Sequence, residues 1–484
     1  MCCCSSSEQS ISEHPHRQRN IALLVAATFF MENLDGTILT TAAPSIGVSL
    51  GVPSLAVGVT ITAYLLTLAV LIPLSGWLSE RFGARPVFLT AIAVFTAASI
   101  LCALSQNLTE LTAFRVLQGA GGAMMVPVGR LAVLRMTSKA DLIRTIALLT
   151  WPALAAPVVA PLAGGLLTTY ATWHWIFLIN APLGVAAFVV ALRILPHDRS
   201  AAGPEASPAL DWWGVLLTGF GLGVLVYVGS LLADGDTNVI ALVLLAALGL
   251  ALVGGATVHF LRARYPLLRL SSMRIETFRL SHAGGSMFRM TISSMPFLLP
   301  LLFQDRFGYS PVLAGTLVLF VFVGNLGIKP FTTPLLRRFG FRSVLLGATG
   351  GAALSMVLCA LLTRETPLVV VVVLMVFSGV VRSVGFTAYN TIAFADIEQA
   401  EMTAANTLAS TLQQVAAGFG VAVAAVALRA GESVPTGSLL PSGSFSFSFL
   451  VVAVLTLVAS AEALRLSKSA GENIRPARRV TATP

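Results

Sequence analysis

Six charged side chains interrupt the long apolar stretches of this chain, and chemistry inside an apolar environment would depend on them. They are two acids and four bases: Glu32, Asp35, Arg115, Arg289, Lys329 and Arg382. Glu32 and Asp35 are three residues apart, so a helix places them on neighbouring turns of one face. Two carboxyl groups in a poorly hydrated site disfavour each other's ionised form. Such a pair is suited to binding and releasing a proton.

Membrane-spanning helices are the elements that must position these residues. The chain has 484 residues, of which 56% are hydrophobic and only 11% are charged. An ordinary soluble domain has about 25% charged residues, so this chain has too few charges for a water-facing surface. Apolar runs of about 20 residues recur along the chain, whereas a membrane β-barrel would alternate within segments of about 10. The sequence therefore predicts an all-α integral membrane protein.

Apolar windows, divided at charged residues and at proline and glycine clusters, predict fourteen spans. They lie near residues 21–43, 55–75, 87–105, 109–133, 142–170, 174–195, 212–233, 238–260, 278–304, 310–334, 343–362, 367–390, 402–429 and 445–465. The longest polar connections, 196–211 and 261–277, are too short for a soluble catalytic domain.

The basic residues predict the orientation. Most of the 30 lysines and arginines, including Arg130 and Arg135, fall in loops or tails on one side, and only Arg306, Arg364 and Arg429 fall on the other. The positive-inside rule then places both termini in the cytoplasm and the chain in the plasma (inner) membrane. The net charge of +9 forms no extended patch, so no nucleic-acid partner is expected.

A short repeat divides the chain into two halves. Phe82-Gly83-Ala84-Arg85 recurs as Phe339-Gly340-Phe341-Arg342, and the same offset of 257 residues relates the starts of the first and ninth spans. This predicts two six-helix bundles with two extra helices between them. The predicted divisions are a cytoplasmic tail at 1–20, a bundle at 21–195, a linker with the extra helices at 196–277, a bundle at 278–466 and a cytoplasmic tail at 467–484. Duplicated halves suit a transporter that rocks about a central site.

The loop between the second and third spans carries the first recognisable motif. Residues 76–85, Gly-Trp-Leu-Ser-Glu-Arg-Phe-Gly-Ala-Arg, resemble the loop signature of the major facilitator superfamily, with a glutamate where the family has aspartate. The resemblance implies a conformational latch on the cytoplasmic side, formed by Gly76, Glu80, Arg81, Gly83 and Arg85. The second copy has Arg337 at the acidic position, so any latch is asymmetric. The alternative is a solvated turn that merely satisfies the positive-inside rule.

Two spans carry further signatures of that superfamily. Arg115-Val116-Leu117-Gln118-Gly119 resembles its Arg-x-x-Gln-Gly motif, and an arginine within a span normally faces a cavity or a partner. The alternative is a structural ion pair. The fifth span resembles the antiporter motif, with alanine replacing two glycines, at Ala156, Pro157, Ala160, Pro161, Gly164 and Gly165. Small residues at every fourth position admit a close helix neighbour, and this packing could seal a proton leak.

The most specific resemblances lie in the first and sixth spans. Leu34-Asp35-Gly36-Thr37 and the stretch from Trp173 to Pro182 are similar to signatures of the fourteen-span drug:proton antiporters, the EmrB/QacA-type group with its MdtD-like members. His174 stands where many members carry arginine. The resemblance covers nearly the whole chain.

This resemblance implies that spans 1, 4, 9 and 12 line a central cavity, and five of the six buried charges fall on them. The expected substrate-cavity residues are Arg115, Gln118, Arg289, Arg382 and Asn390. Asp35 is the favoured proton carrier because it matches the motif, while Glu32 is either a second proton site or the partner of an arginine. The expected partners are a small-molecule substrate and protons, which the cavity residues bind, and the lipid bilayer that surrounds the protein.

The leading functional interpretation is a proton-coupled exporter of hydrophobic or cationic toxic compounds. The runner-up is an exporter of an anionic metabolite or metal chelate, because arginines outnumber acids in the expected cavity. A membrane-embedded sensor or transferase is disfavoured, since no catalytic cluster or nucleotide-binding loop is present. The five cysteines have no metal-ligand or disulfide spacing. We expect no enzyme activity, no cofactor or metal, and a functional monomer.

Overall fold

The computed structural model describes residues 15–52, 57–138, 141–196, 209–234, 239–309, 311–433, 441–467 and 470, and within these it contains helices and no strand. The α-helices are α1 (Pro15–Leu50), α2 (Gly58–Leu71), α3 (Leu74–Phe82), α4 (Ala84–Leu104), α5 (Leu108–Met136), α6 (Leu142–Tyr170), α7 (Trp175–Leu178), α8 (Asn180–Ile194), α9 (Trp212–Asp234), α10 (Val239–Arg262), α11 (Glu276–Leu301), α12 (Pro311–Gly327), α13 (Lys329–Ala360), α14 (Leu368–Ile392), α15 (Met402–Ser433) and α16 (Ser444–Arg465). The all-helical prediction is confirmed.

The helices pack as two groups joined by a pair. In the first half, α1 packs along α6, and α5 packs between α4 and α2. In the second half, α13 packs against α14 and α16, and α11 packs against α15 and α16. Helices α9 and α10 pack against each other, and α9 also contacts α2 of the first half and α15 of the second. The predicted boundaries of the two bundles and the linker remain predictions.

The repeat has a counterpart in the backbone. Gly83 ends α3 with φ 86° and ψ 152°, and Gly340 breaks α13 with φ 79° and ψ 163°. Only glycine adopts this backbone region readily, which explains why both copies have it there. A break also precedes each turn by the same spacing, at Pro73 between α2 and α3 and at Pro330 where α13 begins. The 257-residue offset therefore relates two glycine turns of the same backbone conformation as well as two sequences.

Membrane-spanning character is clear for most of the helices. Within the described residues, nine helices are long and apolar enough to cross a membrane, and the pair α2 and α3, bent by 57°, makes a tenth candidate. Three shorter apolar stretches are Leu142–Pro152, Trp212–Leu225 and Leu313–Gly327. Helices cover all fourteen predicted segments, but the count of fourteen spans remains a prediction.

Candidate functional site

Asp35 is the centre of a buried polar network that joins four helices. Its Oδ2 accepts a hydrogen bond from Arg115 Nη1 at 2.5 Å, and the two side chains form an ion pair. Its Oδ1 accepts from Gln118 Nε2 at 2.9 Å and from Asn180 Nδ2 at 2.8 Å. Ser99 of α4 accepts from both amides, at 2.5 and 3.2 Å. The carboxylate of Asp35 is thus held by donors from α5 and α8.

The surroundings of Arg115 explain how a full charge is accommodated here. The side chain is 0% exposed, and its guanidinium carbon lies 4.1 Å from the centre of the Tyr64 ring and 5.8 Å from that of Phe177. Arg115 and Gln118 are one turn apart on α5, so Nη1 of Arg115 also donates to Gln118 Oε1 at 2.7 Å. An aromatic face and a carboxylate together compensate for the lost hydration.

Sequence reasoning missed Asn180, Ser99 and Tyr64 as members of this site. Asn180 stands in the quoted Trp173–Pro182 stretch but received no role. Asn180 carries no charge, so its role as a donor to Asp35 is recognised only once α8 is packed against α1. Ser99 and Tyr64 are separated from Asp35 along the chain and follow no motif, so only the packing of α4 and α2 reveals them.

Glu32 lies one turn before Asp35 in a different environment. Its Oε2 is buried and has no hydrogen-bond partner among the described residues, and the same is true of the Tyr64 hydroxyl. Both groups approach Gly122 of α5: a Cβ atom added there would lie 3.3 Å from Tyr64 Oη and 3.6 Å from Glu32 Cδ. The two carboxyl groups of α1 therefore differ, because one is fully bonded and the other has a buried oxygen without a donor.

A chain of polar groups that begins and ends with arginine runs from Arg289 in the second half to Arg130 on α5 of the first half. Arg289 Nη2 donates to Asn390 Oδ1 at 3.4 Å, Gln413 Nε2 donates to the same oxygen at 3.1 Å, and Arg130 Nη1 donates to Gln413 Oε1 at 3.5 Å. Arg289 is 4% exposed, and its Nε lacks a partner among the described residues. Within that part of the chain, no carboxylate forms an ion pair with either arginine.

Arg382 contacts the backbone instead of another predicted site residue. Its Nη2 donates to the carbonyl oxygen of Ile292 at 2.6 Å. Pro296, four residues later in α11, has no N–H to bond that carbonyl. Arg382 therefore supplies the donor that the proline removes. The structure brings Arg289 and Asn390 together but leaves Arg382 outside that contact.

The two halves meet at one end through polar contacts on α5, α6 and α15. Arg130 donates from Nε to Asn406 Oδ1 and from Nη2 to Ser410 Oγ, both at 2.6 Å. Arg135 donates to Thr403 Oγ1 at 2.6 Å, and Lys329 of α13 donates to Thr150 Oγ1 of α6 at 3.3 Å. Arg130 and Arg135 were expected from the sequence to lie in cytoplasmic loops. In the structure both lie within α5, and they bond the other half of the molecule.

The residues of the predicted latch contact several different partners. Gly76 faces α15 so closely that an added Cβ would overlap the hydroxyl of Thr407. Glu80 Oε2 lies 3.8 Å from Arg269 Nη2, in the segment between α10 and α11. These contacts of Gly76 and Glu80 are thus with two different segments, α15 and the stretch between α10 and α11.

The three remaining positively charged or glycine positions of that loop serve local packing. Arg81 lies over the rings of Trp77 and Phe82, at 5.2 and 5.8 Å. Arg85 Nη2 donates to the carbonyl oxygen of Leu192 at 2.7 Å, which ties the start of α4 to the end of α8. Gly83 forms the turn described above.

The small-residue stripe of the fifth span lies on α6. Ala156, Ala160 and Gly164 are buried, and the two alanines belong to an apolar cluster with Leu34 and Ile38 of α1. Close contact between α1 and α6 follows from these short side chains. Pro157, Pro161 and Gly165 lie in the same helix but outside the residues whose side chains the structure describes.

No metal site is evident in the described part of the chain, where no group of three or more His, Cys, Asp or Glu side chains could hold an ion. The polar network around Asp35 and Arg115 can bind and release protons or hold an ionic group of a ligand.

Comparisons with known proteins agree with this architecture. The Major Facilitator Superfamily model matches residues 25–421 and 283–483. "Putative multidrug resistance protein MdtD" of Cronobacter sakazakii is 35% identical over 483 residues, with 97% of this chain and 99% of that protein covered. The protein of the same name from Serratia proteamaculans is 35% identical over 445 residues, with 89% and 90% covered.

Solved structures share the fold at low sequence identity. The proton:xylose symporter XylE has a TM-score of 0.65 and 14% identity, covering 94% of this chain and 97% of that one. The human organic anion transporter MFSD10 has a TM-score of 0.63 and 14% identity, covering 92% and 99%. The chain therefore belongs to the major facilitator superfamily, and it is an MdtD-like multi-pass membrane transporter.

Proposed function

We propose that this transporter exports hydrophobic or cationic toxic compounds across the plasma (inner) membrane in exchange for protons. The observation that carries the proposal is the pair of dissimilar carboxyl groups on α1, one ion-paired with Arg115 and one with a buried, unbonded oxygen. The multidrug resistance description of the MdtD relatives supports the substrate class. No cofactor is needed, because the proton gradient supplies the energy.

Glu32 carries the coupling proton in this proposal, although the sequence motif favoured Asp35. Protonating Asp35 would leave Arg115 charged in a fully buried position, with no other acid ion-paired to it in the part of the chain that the structure describes. Leaving one partner of a buried ion pair uncompensated costs about 3–5 kcal/mol. Protonating Glu32 breaks no ion pair, and it removes a charge that lacks a donor at Oε2. Asp35 then holds Arg115 and α5 in place while Glu32 exchanges the proton.

The closed end of the molecule defines the conformational step. Arg130, Arg135 and Lys329 bond the two halves at the end that the positive-inside rule assigns to the cytoplasm. In this proposal these contacts keep the cytoplasmic end closed, as after release of a substrate to the outside. Rocking the halves would break these hydrogen bonds and expose Glu32 to the cytoplasm. Gly76 and Glu80 of the loop at 76–85, together with Arg269 of the segment between α10 and α11, act as the latch in this step. The tight packing of Ala156 and Ala160 limits proton leakage.

Proteoliposomes with an imposed pH gradient test the proton carrier. We expect Glu32→Gln to lose more than about tenfold of gradient-driven export of ethidium, a lipophilic cation, while ethidium binding to the detergent-purified protein is retained. Asp305→Asn, an exposed acid near the end of α11, is the matched control and should export as the parent does. Unchanged gradient-driven export by Glu32→Gln would disprove the assignment to Glu32.

A topology experiment tests the orientation. Reporters at the C-terminus and near residue 203 should be active only in the cytoplasm, because both positions follow an even number of predicted spans. Activity of either reporter on the outer side would contradict both the orientation and the fourteen-span count.

Export of an anionic metabolite or metal chelate is the second candidate function. The observation that favours it is the arginine-ended chain of Arg289, Asn390, Gln413 and Arg130, which has no acid among the described residues. Its test is uptake of a radiolabelled tricarboxylate into everted vesicles. If the anion is the substrate, we expect Arg289→Gln to abolish tricarboxylate uptake. If the cation is the substrate, Arg289→Gln should change ethidium uptake by less than about twofold.

A further inference from the structure

A large cavity lies away from the Asp35 network, where the two halves are in contact. Its volume is about 850 Å³, which is within the usual range of about 300–1,000 Å³ for ligand sites. The beginnings of α1 and α6 form one wall, and the end of α12 with the start of α13 forms the other. The cavity is therefore at the end of the molecule where the halves are in contact.

The charges that line this cavity are mostly positive. Arg19, Arg144 and Lys329 line it together with a single acid, Asp141. Asp141 Oδ2 already accepts a hydrogen bond from Ser138 Oγ at 2.8 Å, in the turn that starts α6. Arg19 and Arg144 are exposed, and within the described part of the chain neither forms an ion pair. Three basic side chains against one acid make the lining predominantly basic.

Apolar side chains complete the cavity on the side toward the membrane. Leu23 is 46% exposed and Trp151 is 43% exposed, and both line the cavity beside the cationic groups. An exposed tryptophan next to arginine is typical of the boundary between hydrocarbon and head groups. The lining thus combines basic and apolar side chains, which matches an amphiphile with an anionic head.

We propose that this cavity binds an anionic phospholipid, with its phosphate between Arg19, Arg144 and Lys329 and its acyl chains along Leu23 and Trp151. Basic pockets between helices at a membrane surface are suited to anionic head groups. A zwitterionic lipid would gain less, because its own ammonium group would face the same three cations.

The position of Lys329 gives this lipid a structural consequence. Lys329 Nζ donates to Thr150 Oγ1 of the first half at 3.3 Å and to Thr387 Oγ1 of the second half at 2.9 Å. A phosphate beside Lys329 would neutralise its charge without removing either contact. The bound lipid therefore favours the conformation in which this end is closed. This inference does not depend on the proposed substrate or on proton coupling.

Native mass spectrometry of the full chain tests the proposal. The detergent-purified protein is titrated with phosphatidylglycerol, with phosphatidylethanolamine of the same chains, and with phosphatidylglycerol in the presence of inorganic phosphate. We expect phosphatidylglycerol to bind at least tenfold more tightly than phosphatidylethanolamine. The double variant Arg19→Gln/Arg144→Gln should weaken phosphatidylglycerol binding about 30-fold.

The control removes the same number of charges elsewhere. Arg262 and Arg274 are exposed arginines that do not line the cavity, so Arg262→Gln/Arg274→Gln should change binding by less than about twofold. Equal binding of the two lipids, or equal losses in the two double variants, would overturn the proposal. Displacement of phosphatidylglycerol by an equal concentration of inorganic phosphate would also overturn it, because the site would then recognise a free anion.

Discussion

The two halves of the molecule share a backbone plan but treat buried charge in opposite ways. In the first half, Arg115 is ion-paired with Asp35. In the second half, Arg289 donates to an amide oxygen and a backbone carbonyl, and Arg382 donates to the carbonyl of Ile292. Neutral acceptors satisfy hydrogen bonds without cancelling charge. The buried arginine of the first half is thus neutralised by an acid, whereas the buried arginines of the second half are bonded to neutral acceptors.

The repeat makes this difference direct. The 257-residue offset that relates Gly83 to Gly340 also relates Glu32 of α1 to Arg289 of α11. Equivalent positions on the first helix of each half thus carry opposite charges. Both copies have the glycine turn because the backbone depends on it, whereas these two buried side chains differ in charge. The twofold symmetry of the fold therefore does not extend to the charges buried in the two halves.

Breaking the ion pair of the first half should have the largest effect. We expect Asp35→Asn to lower the free energy of unfolding by about 3–5 kcal/mol, because Arg115 would be left buried and uncompensated. The double variant Asp35→Asn/Arg115→Gln should lose less than Asp35→Asn alone. Thermal unfolding in detergent measures both, and additive losses in the double variant would contradict a coupled pair.

Removing Arg382 should have a smaller effect that depends on Pro296. We expect Arg382→Met to cost about 1–3 kcal/mol, since the carbonyl of Ile292 would lose its donor. In a Pro296→Ala background, the restored N–H can bond that carbonyl, so the same substitution should cost less. Unfolding of the four proteins in this cycle gives the coupling. An equal cost in both backgrounds would indicate that Arg382 acts elsewhere.

The two glycine turns should respond alike despite the different chemistry around them. Gly83→Ala and Gly340→Ala should each lose about 1–2 kcal/mol, because both positions have positive φ. Gly347→Ala, at a helical glycine with open space around it, should be neutral or slightly stabilising. Gly83→Leu and Arg85→Ala should also slow turnover more than they weaken ligand binding. Unequal losses at Gly83 and Gly340 would break the structural equivalence of the repeat.

The smallest effect on stability is expected at the half-exposed pair of Glu80 and Arg269. Their 3.8 Å contact is at the surface, and such pairs contribute about 0–1 kcal/mol. We therefore expect Glu80→Gln to unfold almost as the parent does and yet to change the transport rate, since Glu80 belongs to the proposed latch. Stopped-flow export together with thermal unfolding checks this. A loss of stability equal to that of Asp35→Asn would contradict the ranking.

Composition and local spacing determined the class of this protein from the sequence alone. The shortage of charge, the apolar windows and the repeated Phe-Gly-x-Arg turn depend on residues near one another in the chain. Hydrogen bonding within each helix and the positive φ of Gly83 and Gly340 are local properties too. For this reason the helical architecture, the repeated glycine turn and most of the charges within the helices could be predicted.

Only the tertiary structure decided which of those charges are paired. Asp35 bonds Arg115 and Asn180, which are 80 and 145 positions away in the sequence. They lie on other helices, and no local pattern specifies how those helices are rotated about their axes. The same packing places Arg130, expected in a loop, at the contact between the halves, and directs Arg382 to a carbonyl freed by proline. Burial makes each of these pairings energetically decisive, because an unpaired polar group inside the protein has no water to bond.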